Sequence, residues 1–136
     1  SYSTDKKVTE EEVRLVTGAP AIELVHDVVK SISTKDLSLG LESVKKAVSQ
    51  NIDMSVFLKL ILHTTRAVML VRFKADAVVK NDLSEKEFEF VSGLAKGEGD
   101  FSSSVLVELL KAFENTNGSY IPQLPLELAL INISKN

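Results

Sequence analysis

His26 and His63 are the side chains best suited to proton transfer or metal ligation near neutral pH. Neither lies in a pattern such as H-E-x-x-H, which sets two ligands on one helix face. His26 follows Glu23 by three positions, an ordinary surface pairing, and reads as an exposed helix residue. His63 falls between Lys59 and Arg66 at steps of four and three, and reads as one member of a polar stripe. Acid pairs can be assembled from Asp27 with Asp36, or from Glu85, Glu87 and Glu89, yet carboxylates at helical spacing describe a solvated face. Gly97-Glu98-Gly99-Asp100 is acidic and lacks the Lys-Ser/Thr that would meet a nucleotide phosphate. There is no nucleophile elbow or Ser/His/Asp spacing. The absence of cysteine excludes disulfides, Cys-bound zinc and thiol nucleophiles, and fits a reducing compartment. The expectation is a chain with no catalytic residue, no metal, no cofactor and no small-molecule substrate, unable by itself to hydrolyse ATP.

The charge balance narrows the partners. Net charge is −3, from 19 acidic and 16 basic residues, so the molecule has no general attraction for a phosphate backbone or an anionic membrane. Lys30, Lys35, Lys45 and Lys46 make a modest basic patch without interleaved aromatics for stacking, and direct DNA contact is expected to be weak or absent. The opening Ser1–Lys7 has no apolar core of the kind a secretion signal needs. A cytoplasmic protein, or a piece of something larger, is expected.

Those side chains must be carried by helices. With 44% hydrophobic and 26% charged residues, six glycines and three prolines in 136 positions, the chain has the makings of one ordered domain with little linker. The stretch Asp53–Phe73 leaves only the stripe Lys59, His63, Arg66 polar, and its apolar residues cover the remaining circumference. A helix of that kind belongs at the centre of a bundle. It is long enough to span a bilayer, but its mid-segment charges interrupt the apolar run a span requires.

Around it, periodicity marks further helices. Thr9 and Glu12 form a capping box for a short helix ending at Gly18, and Pro20 can open the next, with Ile22, Val25, Val28, Val29 and Ile32 inward. Ser33-Thr34 offers an N-cap for a helix over 35–50, with Leu37, Leu41, Val44 and Val48 inward and Gly40 weakening it slightly. Asp53 caps the central helix. Ala75, Val78 and Val79 could extend it by a turn or two. Ser84 and Glu87 make a second capping box, for a helix with Phe88, Val91, Leu94 and Ala95 inward, ending at Gly97. Ser102–Ser104 can cap a helix running to Asn117-Gly118. Pro122 and Pro125 fit the first turn of a last, apolar helix over 121–133. No strand alternation and no fixed repeat appear. The expected fold is all-α, a compact bundle of about six helices around 53–73. The helices 53–73 and 121–133 look greasier than one-sided burial requires, which points to a helical interface between subunits. A helical ligand- or peptide-binding module using a groove beside 53–73 is the alternative.

The segments VTEEEVRLVTGAP, with Thr9, Glu11, Val13 and Gly18, and IPQLPLELALINIS, with Leu124, Pro125, Leu126 and Glu127, resemble the gamma/tau subunit of the bacterial DNA polymerase III clamp loader. The resemblance runs from the end of that subunit's lid domain through its third domain, and between these two motifs it rests on helix order and length. It implies that residues 1–18 are a tail and the last helix of a preceding lid domain, and 19–136 a helical collar clamp-loader domain. It further implies an oligomerisation role in DNA replication, with other loader subunits as partners, within a parent chain that is an ATPase. The family's nucleotide-binding and zinc motifs have no counterpart here. The residues it suggests for the subunit interface are Leu124, Leu126, Glu127 and Leu130, to which the stripe Lys59, His63 and Arg66 is added.

Overall fold

The computed structural model describes residues 20–97, 99 and 101–135. The short helix expected over 9–18 lies outside these. The described residues form α-helices α1 (Pro20–Thr34), α2 (Leu37–Ser49), α3 (Met54–Arg72), α4 (Asp76–Val79), α5 (Glu85–Lys96), α6 (Ser103–Thr116) and α7 (Leu124–Lys135), with a 3-10 turn at Lys80–Asp82 and no strand among them. The fold is all-α, as expected.

Helix α3 is the hub. It packs against α1, α2, α4, α5 and α6, while α7 closes the bundle against α6, α2 and α1. The positions facing inward follow the helical period. In α1 these are Ala21, Leu24, Val25, Val28, Val29, Ser31 and Ile32; in α3, Met54, Phe57, Leu58, Ile61, Thr64, Thr65 and Val68, with Leu60 and Ala67 buried beside them. Asp53 caps α3 as expected, its carboxylate accepting from the amides of Ser55 and Val56 at 2.8 and 3.2 Å. Ser84 caps α5 by accepting from the amide of Glu87 at 3.1 Å.

Three details differ from the sequence reading. The cap of α2 is Asp36, which accepts from the amide of Leu39, and neither Ser33 nor Thr34. Helix α2 turns Gly40, Ser43, Val44 and Ala47 inward and leaves Val48 exposed, so its buried face is made of small side chains. That lets α2 approach closely: a Cβ on Gly40 would lie 2.6 Å from Ser31 Oγ and 3.3 Å from Leu130 Cδ1. The helix α3 also stops at Arg72 and does not run on through Val79.

Each of α1, α2 and α3 ends on a non-glycine residue in the left-handed conformation: Lys35 (φ 57°), Asn51 (φ 60°) and Lys74 (φ 65°). The next amide then reaches back five residues, Asp36 to the Ser31 carbonyl, Ile52 to Ala47 and Ala75 to Leu70, at 2.9, 3.0 and 2.8 Å. This is the Schellman arrangement, which satisfies carbonyls that a helix end would otherwise leave unpaired. Glycine is its usual pivot, and an L-residue there costs about 1–2 kcal/mol. Part of that is recovered because glycine would loosen the unfolded chain. Lys74→Gly should therefore raise stability by about 0.5 kcal/mol in urea denaturation, and a loss of stability would show that the exposed lysine stem contributes at this corner.

Candidate subunit interface

The central helix has less free surface than its composition suggested. Along α3 only Arg66 is exposed, and Val56, Leu62, Leu70 and Val71 are partly buried against the core. Helix α3 is long and apolar enough to cross a membrane by length and composition. Here its apolar faces are taken up by neighbouring helices of the same chain. The central place expected for this helix is the one it takes, and its five packing partners leave little of the oily excess that pointed to a subunit interface on it.

Helix α7 divides its leucines. Leu126 and Leu130, suggested as interface residues, are 0% and 3% exposed and belong to the core. The Leu-Pro-Leu-Glu motif therefore serves two faces, since residues two apart in a helix point to different sides. Leu124 is 38% and Leu128 50% exposed, and Glu127 is half-buried in the first turn. The sequence reading missed Leu128, although its place one turn after Leu124 carried the signal.

Leu124, Pro125 and Leu128 form one wall of an open groove of about 530 Å³ between α6 and α7, with Glu108, Lys111 and Glu114 on the opposite wall. Within it Glu108 pairs with Lys111 at 3.8 Å and accepts from the Asn132 amide at 3.4 Å. Val107 and Leu110 of α6 are exposed as well. The groove between α6 and α7 owes nothing to α3, so it is not the groove beside 53–73 that the alternative reading required.

None of the stripe residues Lys59, His63 and Arg66 lines this groove. Arg66 is exposed; Lys59 and His63 are half-buried, and each is engaged with a partner. His26 departs from its expected surface role. Its Nε2 donates to Glu87 Oε1 at 2.9 Å and its ring stacks on Phe90 at 3.8 Å between centroids, tying α1 to α5. Thr64 of α3 donates to the other Glu87 oxygen at 3.5 Å. Nothing in the sequence between α1 and α5 links these positions, because the pairing is made by the fold alone.

Arg72 is the other residue that sequence reasoning passed over. From the last turn of α3 it donates through Nε to the Ala95 carbonyl at 3.2 Å, through Nη2 to those of Leu94 and Gly97 at 3.3 and 2.8 Å, and through Nη1 to that of Gly99. Its guanidinium also lies 5.5 Å from the centre of the buried Phe101 ring. A planar fork with five donors suits a cluster of helix-end carbonyls.

Leu124 and Leu128 expose apolar side chains on α7, and Val107 and Leu110 do so on α6, with Phe73, Val78, Tyr120 and Ile121 exposed as well. Comparison with curated proteins, and separately with solved structures, gave no match. The model of one family, described as DNA polymerase III subunits gamma and tau domain III, matches residues 8–135. The chain therefore belongs to the family of DNA polymerase III gamma and tau subunits, as their domain III.

Proposed function

We propose that this domain is a collar, holding the subunits of a bacterial clamp loader together while the sliding clamp is loaded during DNA replication. Family membership supports the reading, and the observation that carries it is the exposed apolar surface of Leu124 and Leu128 on α7, with Val107 and Leu110 exposed on α6, the helix packed against it. Residues 19–136 are the collar, and residues 1–18 complete a preceding lid domain in a longer ATPase chain of the bacterial cytoplasm. Its partners are other loader subunits, met through their own domains of the same kind. Direct contact with DNA is weak or absent, membranes and small molecules are not among the partners, and the domain works without a cofactor. Leu124 and Leu128 supply the contact, Glu127 flanks it, and Arg66 with Lys59 and His63 offers a separate polar edge.

Burying a leucine side chain contributes about 1.5–3 kcal/mol, and 1.4 kcal/mol is a factor of ten in affinity. Sedimentation of the wild-type chain with other loader subunits should show association that the double variant Leu124→Asp/Leu128→Asp weakens by at least about tenfold. Circular dichroism should be unchanged, since neither side chain is in the core. A wild-type chain that stays monomeric at every concentration and ignores those subunits would sink the proposal.

A further inference from the structure

We propose that Asn117-Gly118, at the corner between α6 and α7, is a self-acting modification site at which the asparagine amide converts to aspartate and isoaspartate. The inference is independent of the collar reading. Of the asparagines in the described residues, Asn51, Asn81, Asn115 and Asn132 precede Ile52, Asp82, Thr116 and Ile133, whereas Asn117 precedes glycine. A missing side chain on the following residue matters because the reaction begins with attack by that residue's backbone nitrogen.

The reaction is balanced by water alone. The Gly118 nitrogen loses its proton to hydroxide and bonds to Asn117 Cγ, the Cγ–Nδ2 bond breaks, and ammonia leaves with a proton from water, giving a cyclic imide. Water then opens the ring. Cleavage of the Cγ–N bond gives aspartate, and cleavage at the main-chain carbonyl gives isoaspartate with one extra methylene in the backbone.

Asn117 holds helical backbone angles, φ −69° and ψ −27°, so ring closure proceeds when this helix end frays, and the surroundings assist it there. Asn117 and Gly118 are both exposed to solvent, and Asn117 is the C-cap of α6, where helix ends fray readily. Ser55 Oγ donates to Asn117 Oδ1 at 2.9 Å, the atom on which negative charge develops during the attack, and a donor so placed lowers the barrier. A Cβ added at Gly118 would meet nothing within 4 Å, and its backbone lies outside the left-handed region. Packing therefore leaves this position open to alanine. Gly118 and Ser119 also line the α6–α7 groove, so conversion sets a new carboxylate beside its mouth, and isoaspartate displaces the acceptor that joins α6 to Ser55 on α3.

The experiment is incubation of the purified protein in warm, mildly alkaline buffer, with peptide mapping by mass spectrometry and an isoaspartate assay. Asn117 should lose most of its amide while Asn115 and Asn132 keep theirs, with both acidic products appearing. Gly118→Ala should suppress the conversion without altering the fold, and Ser55→Ala should slow it. Retention of the Asn117 amide for as long as that of Asn115 would overturn the proposal. So would conversion at an undiminished rate in Gly118→Ala. An unchanged or faster rate in Ser55→Ala would remove Ser55 as the activating donor.

Discussion

Replacing Arg72 with methionine should destabilise the domain by about 3 kcal/mol. Methionine keeps the aliphatic stem and loses every donor. Hydrogen bonds to a charged group are worth roughly 1.5–3 kcal/mol each when shielded. Four carbonyls accept from this one guanidinium, those of Leu94, Ala95, Gly97 and Gly99. The sum is not realised in full, because Arg72 is only partly buried and water can reach the exposed Gly97 once the clasp opens. Lysine at this position restores charge without the planar fork, so Arg72→Lys should recover less than half of the loss. Urea denaturation gives the overall change, and hydrogen exchange gives its place, with faster exchange at the end of α5 and around Phe101. If Arg72→Met unfolds at the wild-type midpoint, the clasp contributes nothing.

Gly40→Val should cost a similar amount, about 3 kcal/mol, the upper part of the range for overpacking a close contact. The cause is geometric. At 2.6 Å from Ser31 Oγ a new Cβ is inside contact distance, and Ser31 is itself buried and donates to the Val28 carbonyl at 2.6 Å. Leu130 Cδ1 stands at 3.3 Å on the other side, so neither wall can yield without disturbing α1 or α7. Gly93 in α5 is the control, since a Cβ there meets nothing within 4 Å and Gly93→Ala should raise stability by about 0.5–1 kcal/mol through helix propensity. Thermal unfolding of the two variants should move in opposite directions. A stabilised Gly40→Val would mean that α2 is not held against α1 and α7 as described.

The two glycines show where sequence reasoning stops. By propensity both weaken a helix, and only the neighbours across the interface distinguish a position that must stay small from one that need not. The caps of α3 and α5 were legible because their chemistry is local, Asp53 and Ser84 reaching amides two or three residues ahead, while at α2 the sequence offered several capping side chains in a row and Asp36 took the place expected for Ser33-Thr34. Helix existence was legible for the same reason, from periodicity within each segment. What escaped was every contact between distant positions. His26 was read from Glu23 beside it, while its partner is Glu87 in α5. Arg72 sat at the end of an apolar run and gave no local sign of the carbonyls it collects. The corners at Lys35 and Lys74 were invisible because glycine is the expected pivot and a lysine there looks like any surface residue. The candidate interface was half legible: the final helix was singled out, but which of its leucines are free depends on where α6, α2 and α1 cover it.

The tight corners also bear on how the chain finds this arrangement. The most extensive helix contacts, α1 with α2 and α6 with α7, join elements adjacent along the chain. Bringing the ends of a flexible connection together becomes costlier by only about 0.6 kcal/mol for each doubling of its length, and these connections, 35–36 and 117–123, are short. Most of the ordering is thus met by pairings at small sequence separation, the kind of topology that folds in microseconds to milliseconds.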